Sequence, residues 1–175
     1  GDSLDDGTNG FQSCPPVQNV TFLKGPEASF NDNIDNNHNG IIDEPNEDIG
    51  LSHFVYYFGS NGSSGGNPNT SDDYYDYLTG HWLDGTNITY GGDGDGSGIG
   101  ATTIPTDFMF SGNTDPNFTT SWTMLGSGMP PDDIRGVGSV GPFDLPAGSM
   151  KSFDIAFITG PSNYGPGGMA LNDSI

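Results

Sequence analysis

The apolar residues of this chain fall mainly into short runs of period two, separated by clusters of Gly, Pro, Asn and Asp. Residues 17–23, 49–58, 87–90, 107–110, 120–125, 137–145 and 152–159 each read as a strand. The last two predict a hairpin. Phe143 and Leu145 alternate on one arm, Phe153, Ile155 and Phe157 alternate on the other, and Pro146-Ala147-Gly148 supplies the turn. One segment has helical spacing instead. Ser71-Asp72-Asp73 offers an N-cap and an acidic first turn, and Tyr74, Tyr77, Leu78 and Trp82 fall on one face. Gly80 predicts that this helix ends there or just past Trp82, with its aromatic stripe buried on a sheet. The pattern as a whole predicts an all-β fold: an antiparallel sandwich or jelly-roll-like layout with one short helix and long loops. It divides into an extended N-terminal segment over 1–30, a β-rich body over 31–160 and a C-terminal tail over 161–175, within a single domain.

Between the first two strands lies the stretch with the most specific chemistry, Asp35-Asn36-Asn37-His38-Asn39-Gly40-Ile41-Ile42-Asp43-Glu44. Oxygen donors stand at alternate positions around one turn glycine, the order a hard cation requires. Asp35, Asn37, Asn39, the Ile41 carbonyl and Asp43 take the first, third, fifth, seventh and ninth places of a calcium loop. The closing bidentate Glu is replaced by Asn46, so the last ligand is expected from Glu44, with Glu47 or a distant residue as alternatives. Pro45 and the turn chemistry of residues 30–33 predict no flanking helices, which makes the loop a structural clamp and not an EF-hand. The competing reading is an Asn/Asp turn whose side chains bond their own backbone. Asp93, Asp95 and Ser97 repeat the first three ligand places in a glycine-rich setting, where a flexible hairpin loop is favoured over a second metal site.

Charge narrows the partners. Against 23 acidic residues stand Lys24, Arg135 and Lys151, a formal net charge of -20, so no basic stripe exists to displace the counterions of nucleic acid or to bind an anionic membrane. All but three of the acids are Asp, the bias of turns and oxygen-coordinating loops. With 29 Gly, 13 Pro and only 31% hydrophobic residues the core must be thin, although 11 Phe, 7 Tyr and 2 Trp keep the chain out of the disordered class. A lone cysteine, Cys14, allows no internal disulfide, leaving bound Ca2+ as the expected staple. Strand edges and extended termini suit association with a neighbouring subunit or a second copy.

Several ordered segments carry a resemblance. They are DNNHNGIIDEPNE at 35–47, Ser52-His53-Phe54-Val55-Tyr56-Tyr57, the run from Asp73 to Trp82, Thr89-Tyr90-Gly91-Gly92, Asp107-Phe108-Met109-Phe110 and Gly141-Pro142-Phe143. Over roughly residues 30–160 the chain resembles secreted proteins of Bacteroidota exported by the type IX secretion system. The resemblance implies an extracellular or cell-surface location and assigns no catalytic residues. A C-terminal sorting domain is lacking, as in an excerpt of a longer protein. The resemblance also implies O-glycosylation at Asp-Ser-aliphatic signals, which Ser3 and Ser174 match.

No zinc helix, nucleophile elbow, phosphate loop or dinucleotide fingerprint occurs. His38, His53 and His81 are scattered without a second ligand at zinc spacing. The expectation is therefore a non-enzymatic, calcium-stabilised structural module of a secreted surface protein, assembling into a multimer or filament. The alternatives are a carbohydrate-binding module stacking sugars on Tyr56, Tyr57, Trp82 and Trp122, and an accessory domain of a glycan hydrolase.

Overall fold

The computed structural model describes residues 17–59, 64–115, 117–130 and 132–160, which form an all-β architecture of antiparallel pairs with a single short helix. Four strands are present among these residues: β1 (Val17–Lys24), β2 (Leu51–Phe58), β3 (Ile134–Val140) and β4 (Asp154–Gly160), with α1 (Ser71–Leu78) after β2. They make two two-stranded sheets, β1 with β4 and β2 with β3. Contacts divide the chain into two units, one running to Ile49 and resuming at Phe143, the other spanning Gly50–Pro142.

In the first unit β1 and β4 form a ribbon whose register sets Val20 opposite Phe157 and Phe22 opposite Ile155, with a bulge at Leu23. Beyond it the chain runs out along Glu27 and returns along Asp48, held by Ala28 N–H to the Glu47 carbonyl at 2.8 Å and Ile49 N–H to the Pro26 carbonyl at 2.8 Å. This two-armed stem depends on Gly25. A Cβ there would stand 1.7 Å from the Ile49 carbonyl oxygen, so no other residue permits the approach. Lys24 faces Asp48 at 3.7 Å, an exposed pair of small energetic weight.

In the second unit Val55, Tyr77, Trp82, Ile88, Tyr90, Met109 and Trp122 form one buried cluster. Four of the seven carry a polar side-chain N–H or O–H, and each finds a backbone carbonyl; the Tyr90 hydroxyl donates to that of Thr120. The Trp82 indole N–H donates to Gly94 at 3.0 Å, the Trp122 indole to Gly92 at 3.1 Å, and the Tyr77 hydroxyl to Gly66 at 2.5 Å. Gly91 and Gly92 let the loop fold on itself: both have positive φ, and Cβ atoms would meet the Gly100 and Ser97 carbonyl oxygens at 2.0 and 1.7 Å, while a Cβ on Gly94 would stand 3.1 Å from the Trp82 ring. The glycine-rich segment 91–100 thus folds back on itself and closes on the core. Asp93 N–H bonds the Ser97 carbonyl at 2.9 Å and Gly92 N–H bonds that of Ile99 at 3.2 Å.

The helix starts one residue earlier than the sequence predicts, with Thr70 and not Ser71 at the N-cap. Thr70 accepts from the Asp73 N–H while the Asp73 carboxylate accepts from the Thr70 N–H, a reciprocal capping box. Amides of Asn69 and Thr70 and the Thr70 hydroxyl hold the Asp73 carboxyl below the ordinary range. The helix ends earlier than expected, at Leu78, with Gly80 at φ +73° after the Thr79 cap. Its stripe is also split. Tyr77 and Trp82 are buried, but Tyr74 and Leu78 are exposed, because eight residues give barely two turns and only one side chain per turn reaches the core.

Three expected strands are reduced to single bridges. Segments 87–90, 107–110 and 120–125 pair only through Thr89–Pro105, His81–Asn87, Phe54–Phe108 and Gly112–Trp122. Pro105 has no N–H to continue a ladder, and Phe110 sits at φ +49°, outside extended space. The hairpin over 143–157 does not form. Its turn exists, with Ser149 N–H on the Pro146 carbonyl at 2.9 Å, but β4 pairs with β1, and β3 stops before Pro142.

Because Trp82 is 1% exposed and its N–H is bonded, Trp82→Ala is expected to destabilise the protein by about 3–5 kcal/mol. Urea unfolding followed by circular dichroism checks this; a midpoint unchanged from the parent would place the core elsewhere.

Candidate functional site

The Asp/Asn loop hangs between the two arms of the stem, and its shape comes from residues that accept left-handed backbone. Asn31, Asn33, His38, Asp43 and Asn46 all have φ between 56° and 63°, and Gly40 has φ 92°. Asn and Asp tolerate that region because their short side chains bond the neighbouring backbone. Asp35 does so with both oxygens, accepting from Asn39 N–H at 3.0 Å and Gly40 N–H at 2.7 Å. Asn37 Oδ1 accepts from Asn39 N–H at 3.0 Å, and Asn39 Oδ1 from Ile41 N–H at 2.8 Å.

Glu44 gathers the amides. Its Oε1 accepts from Asn37 Nδ2 at 2.9 Å and from Asn39 Nδ2 at 2.5 Å, while its Oε2 is buried with no hydrogen-bond partner. Asp35, Asn37, Asn39 and Glu44 therefore belong to one bonded network. Asp43 departs from it, accepting from Asn33 N–H at 3.1 Å, and Ile41 enters only through its N–H. Glu47, which the spacing offered only as an alternative closing ligand, is the most buried carboxylate of the loop. It is 6% exposed and its Oε1 accepts from the Asn36 and Asn37 N–H groups at 2.5 and 3.2 Å. The legible signal for it was a Glu standing one place past the expected twelfth position, on the returning stem.

Asp43, Glu44, Asn46 and Glu47 line a hollow of about 30 Å³ with Glu27 and Phe30 across it. That volume admits a water or a small ion and excludes a sugar ring. Among the described residues no three His, Cys, Asp or Glu side chains are gathered closely enough to hold a metal by themselves. The reason is visible in the bonds: lone pairs that would face a cation are occupied by backbone and amide N–H groups, and two of the six candidate ligands are Asn.

The second loop is built differently. Asp93 Oδ1 caps its own turn, accepting from Asp95 and Ser97 N–H groups at 2.9 and 3.1 Å, and Asp95 Oδ2 accepts from Ser64 Oγ at 3.0 Å. Asp93, Asp95 and Ser97 thus serve the turn and its anchor. Ser3, Ser174 and Cys14 lie outside the described residues. Of the candidate sugar-stacking rings, Trp82 and Trp122 are buried in the core, while Tyr56 and Tyr57 are half-buried against it, Tyr57 stacking on Tyr77 at 5.0 Å.

A cluster the sequence did not assemble joins β2 to β3. His53 Nδ1 lies 3.3 Å from Ser139 Oγ and Nε2 lies 3.6 Å from Asp107 Oδ1. Ser139 stands in the body of a strand at 7% exposure, and Asp107 is beyond hydrogen-bond reach of the ring, so the trio pins two strands together without presenting a nucleophile. Burial pushes the His53 pKa below the ordinary imidazole value of 6.5; Asp107 opposes that shift and His81 adds to it. No helix among the described residues is long and apolar enough to cross a membrane. No protein-family model, no curated protein and no solved structure matches the chain.

A depressed folded-state pKa at His53 gives stability that is present above 6.5 and lost as pH falls through the folded value, because the unfolded chain binds the proton first. Unfolding midpoints measured from about pH 7.5 to 5.5 should therefore decline, and His53→Gln should flatten that decline. Parallel profiles for the two proteins would show that another group governs the slope.

Proposed function

We propose that this chain is a non-enzymatic structural module of a secreted bacterial surface protein, in which the 35–47 loop closes on Ca2+ and copies of the module associate. The observation that carries the calcium reading is the Glu44 Oε2 atom, a carboxylate oxygen buried without a partner in a loop whose other oxygens follow calcium-ligand order. An unpaired buried carboxylate oxygen is costly, and a divalent ion removes the cost. The flexible, all-oxygen character of Asp35, Asn37, Asn39, the Ile41 carbonyl, Asp43 and Glu44 suits calcium better than magnesium, which demands a near-ideal octahedron. Binding would exchange the Asn amide hydrogens on Glu44 for the cation and turn the amide oxygens inward. With a formal charge of -20, a bound divalent cation also lowers self-repulsion. The surface location rests on the sequence resemblance.

The sign of each variant follows from the bonds. Asp35 caps the turn through two backbone N–H groups, so Asp35→Ala lowers stability with or without the ion. Glu44→Gln is more discriminating, because it keeps an acceptor for Asn37 and Asn39 and removes the unpaired charge. Millimolar calcium is expected to raise the melting temperature of the parent by about 1–6 °C, the range for a site of extracellular affinity in a chain of this length. Glu44→Gln should abolish that rise and leave the chelated protein as stable as the parent or slightly more so. Identical melting of the parent in calcium and in chelator overturns the reading.

A further inference from the structure

We propose that the apolar face of the β1–β4 ribbon is the surface through which two copies of this chain associate, face to face, an inference that rests on the self-association reading above. Alternation along the ribbon sorts its side chains by the register. Gln18, Val20 and Phe22 share one face with Thr159, Phe157 and Ile155, and Phe153 extends it, its ring 6.5 Å from that of Phe22. The opposite face carries Asn19, Thr21, Ala156 and Ile158 with the Lys24/Asp154 pair.

The first face is uncharged and open, with an apolar centre beside the Gln18–Thr159 pair. Val20 is 56% exposed, Phe153 60%, Ile155 44% and Phe157 67%. A two-stranded ribbon is marginal in water until something covers its hydrophobic side. In a chain of charge -20, the fifteen residues of β1 and β4 carry one Lys and one Asp, so two copies meeting here face little like-charge repulsion from the ribbon itself. Pairing by strand edges alone would leave these rings in water, and the bulge at Leu23 interrupts the edge of β1.

The area is sufficient. Taking 150–250 Å² for a fully exposed large side chain, the open fractions give roughly 400–500 Å² of apolar surface per copy. Two such faces lose about 900 Å², and at the roughly 65% apolar share of homodimer interfaces the whole contact is about 1,400 Å². Stable interfaces begin near 1,200 Å².

Sedimentation velocity on the full chain from about 1 to 100 µM, in calcium and in chelator, tests the assignment with two variants. Phe157→Glu places a charge at the centre of the face, and Tyr75→Glu places one on an equally exposed helix position. The parent and Tyr75→Glu are expected to sediment as dimers in both buffers, with Phe157→Glu weakening association at least 30-fold while keeping the parent's circular dichroism spectrum. A parent that stays monomeric throughout removes self-association itself. A Phe157→Glu protein that dimerises as the parent does removes only this face.

Discussion

The second unit is held by two indole N–H groups bonded to carbonyls of consecutive turns in one glycine loop, Trp82 to Gly94 and Trp122 to Gly92. A thin hydrophobic complement leaves little else to close that unit. Each ring contributes a large buried area, and each N–H would be costly if left unpaired, so the indoles fix where the loop must lie. The loop in turn can fold on itself only because Gly91 and Gly92 lack Cβ atoms, and it meets the core at Gly94, where a Cβ would stand 2.8 Å from the Met109 methyl. Size at two aromatic positions and its absence at two glycines are one device.

The first unit solves the same problem with charge. There the carboxylates of Asp35 and Glu47 each collect two backbone N–H groups, and Glu44 collects two side-chain amides, so the loop is organised by anions acting as hydrogen-bond acceptors. In a chain with 23 acids and three bases, these carboxylates are offset by N–H dipoles in place of cations. A cation at Glu44 would complete that pattern, not create it.

What could be read from the sequence followed locality. The capping box at Thr70 and Asp73, the turn at Pro146–Ser149 and the left-handed Asn residues of the 31–46 loop are written in neighbouring residues, and they stand where their neighbours place them. Alternation found β1, β2 and β4, but it could not say which strand pairs with which. The apolar arms flanking Pro146 looked like a hairpin, whereas Phe157 pairs with Val20, far away in the chain. Helical spacing placed Trp82 in the core, but the burial of Trp122 was invisible for a related reason: aromatic residues at a surface and in a core have the same spacing, and only the distant carbonyl of Gly92 decides between them. Glu47 was overlooked as the principal acid because its partners, the Asn36 and Asn37 amides, sit ten and eleven residues back across the stem.

The ribbon register has a mechanical meaning. Val17 stands opposite Gly160, so the polypeptide enters β1 and leaves β4 at the same end. Tension delivered through both flanks peels the ladder open one rung after another, starting at that pair, instead of shearing every rung together. Within a stretched polypeptide this ribbon would yield at low force and return, lengthening like a clasp that unfastens before its surroundings tear.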